Sequence, residues 1–254
     1  MSSRTRALAL LSLALAAPCA RAQSSTRTTR AENNAWLVGS GDVWATPHWG
    51  LQTELMYERS DLGEKPMVIE IRAGVQHMLP SGARLALGGT FIHTSPYGPF
   101  PSRVAFQEYR TWQQAQIDQK LGVVSLAHRY RLEERWIIRP VSSAISATDE
   151  TDPSYTLRFR YQIRGSVPLT KPSAPHSLYA VGSEEVFVGA GPHTPLNVLD
   201  QNRASIGLGL RWSPALRTEA GYLSHVVLRG NGTQVENNHT LLVTIGVTRA
   251  APKR

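Results

Sequence analysis

From Tyr155 to Arg164 the chain reads Tyr-Thr-Leu-Arg-Phe-Arg-Tyr-Gln-Ile-Arg, alternating without an error. Successive strand side chains face opposite sides, so Tyr155, Leu157, Phe159, Tyr161 and Ile163 share an apolar face and Thr156, Arg158, Arg160, Gln162 and Arg164 a polar, cationic one. The same period recurs along the chain. Met67 to His77 sets Met67, Ile69, Ile71, Ala73 and Val75 against Glu70, Arg72 and Gln76, and after the turn Leu79-Pro-Ser-Gly82, Arg84 to His93 completes a hairpin. Gln201 to Trp212, Leu216 to Arg229 and His239 to Thr248 repeat the design. Weaker segments are Trp36 to Ala45, Trp49 to Arg59, Val104 to Ile117, Val123 to Ile138 and Leu178 to Val188. No stretch keeps a helical period beyond two turns, so the pattern predicts an all-β chain of about eleven strands.

The connections fall into two kinds. Thr46 to His48, Leu79 to Gly82, Asp118 to Leu121 and Ser213 to Ala215 are short, whereas Thr94 to Arg103, Pro140 to Pro153, Gly189 to Asp200 and Gly230 to Asn238 are longer. Short turns on one rim and long loops on the other are the layout of an antiparallel up-and-down transmembrane barrel, with short periplasmic turns and longer outer loops. Ser166 to His176 is the exception, proline-rich yet on the short-turn side. In such a barrel the apolar face meets lipid and the cationic face the lumen; a secreted sandwich with the same alternation would instead pave its surface with guanidinium. Single bacterial chains normally close with an even number, so about ten to twelve strands are expected, one away from the apparent eleven. Trp36, Trp44, Trp49, Tyr57, Tyr130, Trp136, Tyr155, Tyr161, Trp212 and Tyr222 lie mostly near strand ends, as interfacial girdles would.

The start of the chain fits that compartment. Arg4 and Arg6 precede an apolar run from Ala7 to Ala17, and Ala20-Arg21-Ala22 follows, the form of a signal peptide over residues 1–22. The run is short of the roughly 18 apolar residues of a spanning helix. Cys19 raises a lipoprotein reading, which the preceding Pro18 and cleavage after Ala22 oppose. Residues 23–34 read as a polar N-terminal segment, 35–249 as the barrel and 250–254 as a C-terminal tail. Losing Arg4, Arg6 and Arg21 takes 27 basic residues to 24 against 19 acids, a formal +5. For an exported chain this charge fits an anionic, phosphate-rich surface and no nucleic acid. The mature chain has no cysteine for a disulfide or thiolate site.

Glu108-x-Arg110-x-Trp112-Gln113-Gln114, His128-Arg-Tyr-Arg-Leu-Glu-Glu-Arg135, Arg158-Phe-Arg160-Tyr161, Glu184/Glu185 before Phe187, and Gln201-Asn-Arg203 follow one another in that order. In these the chain resembles, over Trp36 to Val247, a bacterial outer-membrane-barrel family catalogued as domain of unknown function twenty-four ninety. The resemblance implies a β-barrel in the outer membrane and no assigned activity. One departure is the last strand, which no Phe or Trp closes before the chain runs into Thr248-Arg-Ala-Ala-Pro-Lys-Arg254.

The residues that could carry chemistry are the expected lumen-lining ones: Glu70, Arg72, Glu108, Arg110, Arg129, Arg131, Glu133, Arg135, Arg158, Arg160, Arg164, Arg203, Arg211, Arg217 and Glu219. With Arg84, Glu54 and Glu58 the tally is twelve cations against six acids. Facing arginines and carboxylates would form a charge-paired plug, whereas unpaired arginines would leave an anion-favouring lumen. The Asp149-Glu150-Thr151-Asp152 loop could fold in to supply carboxylates. The expected role is a narrow anion-biased pore or binding cavity for small anionic solutes, with a plugged structural or assembly barrel as the alternative. An outer-membrane lipid-modifying hydrolase is a second alternative. It would need a Ser and a His whose side chains meet, yet Ser224-His225 and His176-Ser177 are neighbours on strands and face opposite sides. His77, His93, His128, His193 and His239 show no metal-ligand spacing, so neither catalytic residue nor cofactor is assigned.

Overall fold

The computed structural model describes residues 27–98, 100, 104–140, 151–172, 174, 176–191, 194 and 196–251. Eleven strands follow in chain order: β1 (Thr28–Trp44), β2 (Trp49–Ser60), β3 (Lys65–Met78), β4 (Arg84–Thr94), β5 (Phe106–Leu121), β6 (Val124–Pro140), β7 (Thr151–Pro168), β8 (Ser177–Ala190), β9 (Leu199–Arg211), β10 (Leu216–Leu228) and β11 (Gln234–Arg249). Each pairs antiparallel with its neighbours in sequence, and β1 closes the barrel on β11.

That closure corrects the expected even count. β1 runs parallel to β11 from Thr28 beside Gln234 to Val43 beside Arg249, so eleven strands close without a twelfth. It also corrects the N-terminal boundary. The polar residues Thr28 to Asn34 are not a separate segment but the first half of β1, held by the ladder to β11. The signal peptide, the Asp149-Glu150 part of the acidic loop and the last tail residues lie outside the described residues.

Closure needs stagger, and the register supplies it. A path perpendicular to the strands leaves β1 at Trp44 and passes Gly50, Gln76, Ala86, Gln114, Arg131, Arg160, Phe187, Gln201, Val227 and Glu236. It re-enters β1 at Arg30, near the other rim. Such a rise corresponds to strands tilted by about 40°.

One rim carries the compact connections after β1, β3, β5 and β9, with the longer Leu169 to His176 link after β7. The opposite rim carries the loops after β4, β6, β8 and β10, plus the 3-10 turn Asp61–Gly63 after β2. The β5 turn falls at Gly122-Val123, since β5 itself runs on to Leu121.

Outward positions form an apolar band in which Leu55, Ile71, Leu87, Ile206 and Leu241 are each more than half exposed. Away from Arg59 and Arg249 near strand ends, alternation places no Lys or Arg on it. Two carboxylates interrupt it, each accepting from an amide on the next strand: Glu134 from Gln113 at 3.4 Å, and Glu184 from Asn202. Trp36, expected in a girdle, instead points inward and is 2% exposed, while Tyr130, Tyr161 and Tyr222 are outward but well within their strands. Met67 also turns inward, next to a register irregularity between β2 and β3.

Candidate functional site

The lumen is filled by an ionic lattice built from alternate residues of β2, β3, β5, β6, β7 and β8. Glu133 is its centre, with no exposed surface. Arg158 donates to it from Nε at 2.9 Å and Nη2 at 2.5 Å, and Arg160 from Nη1 at 2.6 Å. Arg110 and Arg131 approach the same carboxylate to 3.6 and 3.9 Å. One rung toward the long-loop rim, Glu108 accepts from Arg110 Nε at 2.6 Å and Arg135 Nε at 2.5 Å. Arg72 bridges Glu54 and Glu70. Arg160 also donates to Glu185 at 3.0 Å, and Arg129 reaches the same carboxylate at 2.9 Å.

Strand geometry explains these meetings. Glu133 faces Arg158 directly across β6 and β7, and its second arginine, Arg160, lies one diagonal step along. Aromatic rings support the guanidinium planes: Arg131 stands 5.0 Å from the Trp112 ring, and Phe187 receives Arg160 at 4.4 Å with Arg158 and Arg203 at 5.0 Å. Trp112 itself fits because Gly74 and Gly88 face it; a Cβ at either would come within 2.5 to 2.6 Å of the indole.

A second contact lies at the long-loop rim. Tyr97, on the β4–β5 loop, accepts from Arg229 Nη2 at 2.6 Å and donates to Glu236 at 3.2 Å. Burial pushes the Tyr97 hydroxyl well above its ordinary pKa, so it stays protonated as a donor. Burial alone would lower Arg229, but Tyr97 and Glu236 outweigh it and hold the guanidinium above its usual value.

Toward the short-turn rim the lattice gives way to a cavity of about 310 Å³. Its cations are Arg84, Arg129, Arg160, Arg164, Arg203 and Arg217, and its acids Asp42, Glu54, Glu185 and Glu219. Most of these charges are matched. Arg164 pairs with Glu219, Arg129 with Glu185, and Arg84 with Asp118 at 3.1 Å. Arg203 differs: among the described residues no carboxylate lies within 4.0 Å of it. Its guanidinium lies 4.8 Å from the Trp36 ring and 5.0 Å from that of Phe187, and among the described residues its one hydrogen bond is donated to Gln201 Oε1 at 3.3 Å.

All fifteen sequence-assigned lumen residues occupy inward positions by strand alternation, though Arg211 is exposed at the rim. They do not form one ring. Glu70 to Arg160 belong to the lattice, Arg164, Arg203, Arg217 and Glu219 to the cavity, and Arg129 links the two. Sequence reasoning missed four inward acids. Asp42 accepts from Gln76 at 2.9 Å, Glu185 pairs with Arg160, Asp200 accepts from Arg158 at 2.9 Å, and Glu236 pairs with Arg229. Asp42, Glu185 and Asp200 offset half of the expected excess of six, whereas Glu236 balances Arg229, a cation outside that tally. Of the Glu184-Glu185 pair one member had to face inward, but the Gly-Ser stretch before it left the register unreadable. The structure also sets Ser224 opposite His239 on the outward face, with Tyr222 Oη 2.6 Å from His239 Nδ1. That is a cross-strand neighbourhood no local spacing reveals.

A family model described as a protein of unknown function (DUF2490) matches residues 33–236. No curated protein and no solved structure matches the chain.

Proposed function

Because the chain belongs to the DUF2490 family, whose model carries no activity, we propose from its geometry that it is an outer-membrane barrel with a blocked lumen and a blind, anion-binding cavity open toward the periplasm. The membrane part rests on the outward band: an exterior this apolar, free of Lys and Arg between the rims, is what a hydrocarbon surround requires. A signal-like start and short turns on the cavity's rim set the proposed orientation.

The observation that carries the anion reading is Arg203. A cation at the inner end of the cavity, held between two aromatic rings and with no carboxylate within 4.0 Å among the described residues, offers a fork of donors to an entering anion. The buried lattice and the Tyr97 contact argue for a closed vessel rather than a conduit.

The test is titration of purified, detergent-solubilised mature protein with citrate, using glucose as neutral control. Citrate binding should weaken at least tenfold in Arg203→Gln, about the loss of one hydrogen bond to a charged group. Equal binding of glucose, or citrate binding unchanged in the variant, would overturn the reading.

A further inference from the structure

On the short-turn rim two arginines face each other. Arg211 on β9 and Arg217 on β10 are direct register partners on the inward side. Like charges placed directly opposite on a sheet repel and destabilise the pairing. Neighbouring carboxylates do little to relieve this. Among the described residues none lies within 4.0 Å of Arg211, whose guanidinium stands 6.0 Å from the Tyr179 ring. Arg217 has Glu219 at 3.7 Å, but that carboxylate is already engaged by Arg164 and by the Tyr179 hydroxyl at 2.7 Å.

The surroundings are those of a receiving site. A pocket between the Ser213-Pro214-Ala215 turn and the Leu169 to His176 link is lined by both arginines together with Ser177, Ser213 and Thr248. Ser213 Oγ accepts from the backbone of Ala215 at 3.2 Å and Leu216 at 3.1 Å, which leaves its own proton to donate outward. Gly246 holds Arg217 in place, since a Cβ there would come within 2.6 Å of the guanidinium carbon.

We propose that Arg211 and Arg217, with these hydroxyls, form a phosphate-binding site at the threshold of the cavity. Two forked guanidiniums and hydroxyl donors match the several acceptor oxygens of a phosphate, and the bound charge relieves the repulsion between the arginines. The site is separate from the Arg203 end of the cavity, although Arg217 lines both pockets. The phosphate could be a free phosphate ester or the headgroup of a membrane lipid. Trp212, 44% exposed on the same rim and donating from Nε1 to Thr218 at 2.9 Å, sits where an aromatic belt would meet headgroups.

The experiment uses purified mature protein in two arms. In detergent, inorganic phosphate is titrated by calorimetry; in nanodiscs of mixed phosphatidylglycerol and phosphatidylcholine, the lipid retained after detergent extraction is quantified by mass spectrometry. Wild-type protein should bind phosphate, retain phosphatidylglycerol selectively, or do both. In Arg211→Gln/Arg217→Gln whichever property is present should fall at least tenfold, with Arg211→Lys/Arg217→Lys in between. Loss in the first arm alone identifies a free phosphate ester, and loss in the second alone a lipid headgroup. Wild-type protein without either property, or a double variant that keeps both, would overturn the site. Phosphate is itself an anion that the Arg203 cavity would accept, so the detergent arm is run in an Arg203→Gln background. Phosphate binding that persists there and falls with Arg211→Gln/Arg217→Gln belongs to the threshold. Binding lost with Arg203→Gln alone belongs to the cavity and overturns the threshold site, and the citrate titration reads the cavity separately. Heat-modifiable gel mobility checks that each barrel is folded; if the double variant is not, Arg217→Gln alone must show the loss.

Discussion

At the residue scale the molecule depends on charges that would be untenable alone. Glu133 has no contact with solvent, and Arg158 and Arg160 both donate to its carboxyl oxygens; a buried acid of this kind is tolerated when it is paired and hydrogen-bonded. Removing that one charge leaves Arg158 with Asp200 and Arg160 with Glu185 as their remaining carboxylates, and an uncompensated positive charge in the buried interior. Glu133→Gln should therefore destabilise the barrel by roughly 3–5 kcal/mol, read from the urea midpoint of its unfolding in detergent. A change below about 1 kcal/mol would mean that the lattice is hydrated rather than packed. Tyr97 gives a pH-dependent counterpart. Its raised pKa means that its contribution is present below the ordinary tyrosine value near ~10 and is lost as pH climbs from there toward the higher folded value. Alkaline titration should loosen the β4–β5 loop in wild type, and Tyr97→Phe should remove that transition; proteolysis of the loop as a function of pH would detect it.

At the scale of the strand, alternation is what the sequence states most clearly. Tyr155 to Ile163 and Leu241 to Val247 face outward as the period requires, and the arginines between them face inward, because a slip of one residue would exchange every side chain between the two faces. The closing of the ring was not legible. β1 begins in residues with no apolar period, Thr28 to Asn34, and only the ladder to β11 makes them strand. Trp36 was likewise unreadable, because a tryptophan near a strand end suits an interface as well as the ceiling of a lumen. The inward acids were hidden by register rather than by residue type, since Glu185 is distinguished from Glu184 only by which side β8 presents to Arg160.

Two strand-level outcomes follow. Ile71, 52% exposed at mid-strand, should cost roughly 2–4 kcal/mol when replaced by arginine in a bilayer; for a barrel in water the same change would be near neutral. Folding titrations in lipid vesicles separate the two. Gly88→Ala would bring its Cβ within 2.1 Å of the Ala73 carbonyl oxygen and 2.6 Å of the Trp112 ring, so it should part β4 from β3 and displace the indole, visible as lost protection of the β3 and β4 amides in hydrogen exchange, whereas Gly89→Ala, with its nearest neighbour 3.7 Å away, should not.

At the scale of the whole molecule, an odd strand count separates the two ends of the chain. β1 begins at the long-loop rim and β11 ends at the short-turn rim. A protease-sensitive tag before Thr28 and another after Ala251 should therefore be cleaved from opposite sides of a sealed membrane, and cleavage of both from one side would refute the parallel seam. The same asymmetry orders the interior: the Tyr97 contact on one rim, the lattice across the middle, and the cavity with its arginine threshold on the other. The measurement that tests this arrangement most directly is side-specific labelling of Ser205→Cys in the mature protein, which has no other cysteine, reconstituted in sealed liposomes. Ser205 lines the cavity on β9, with its hydroxyl 2.8 Å from that of Ser183. An anionic, membrane-impermeant thiol reagent should modify it only from the side that carries the C-terminus, and more slowly when citrate is present. Modification from both sides, or from the long-loop side alone, would contradict a blind cavity beneath a closed lattice.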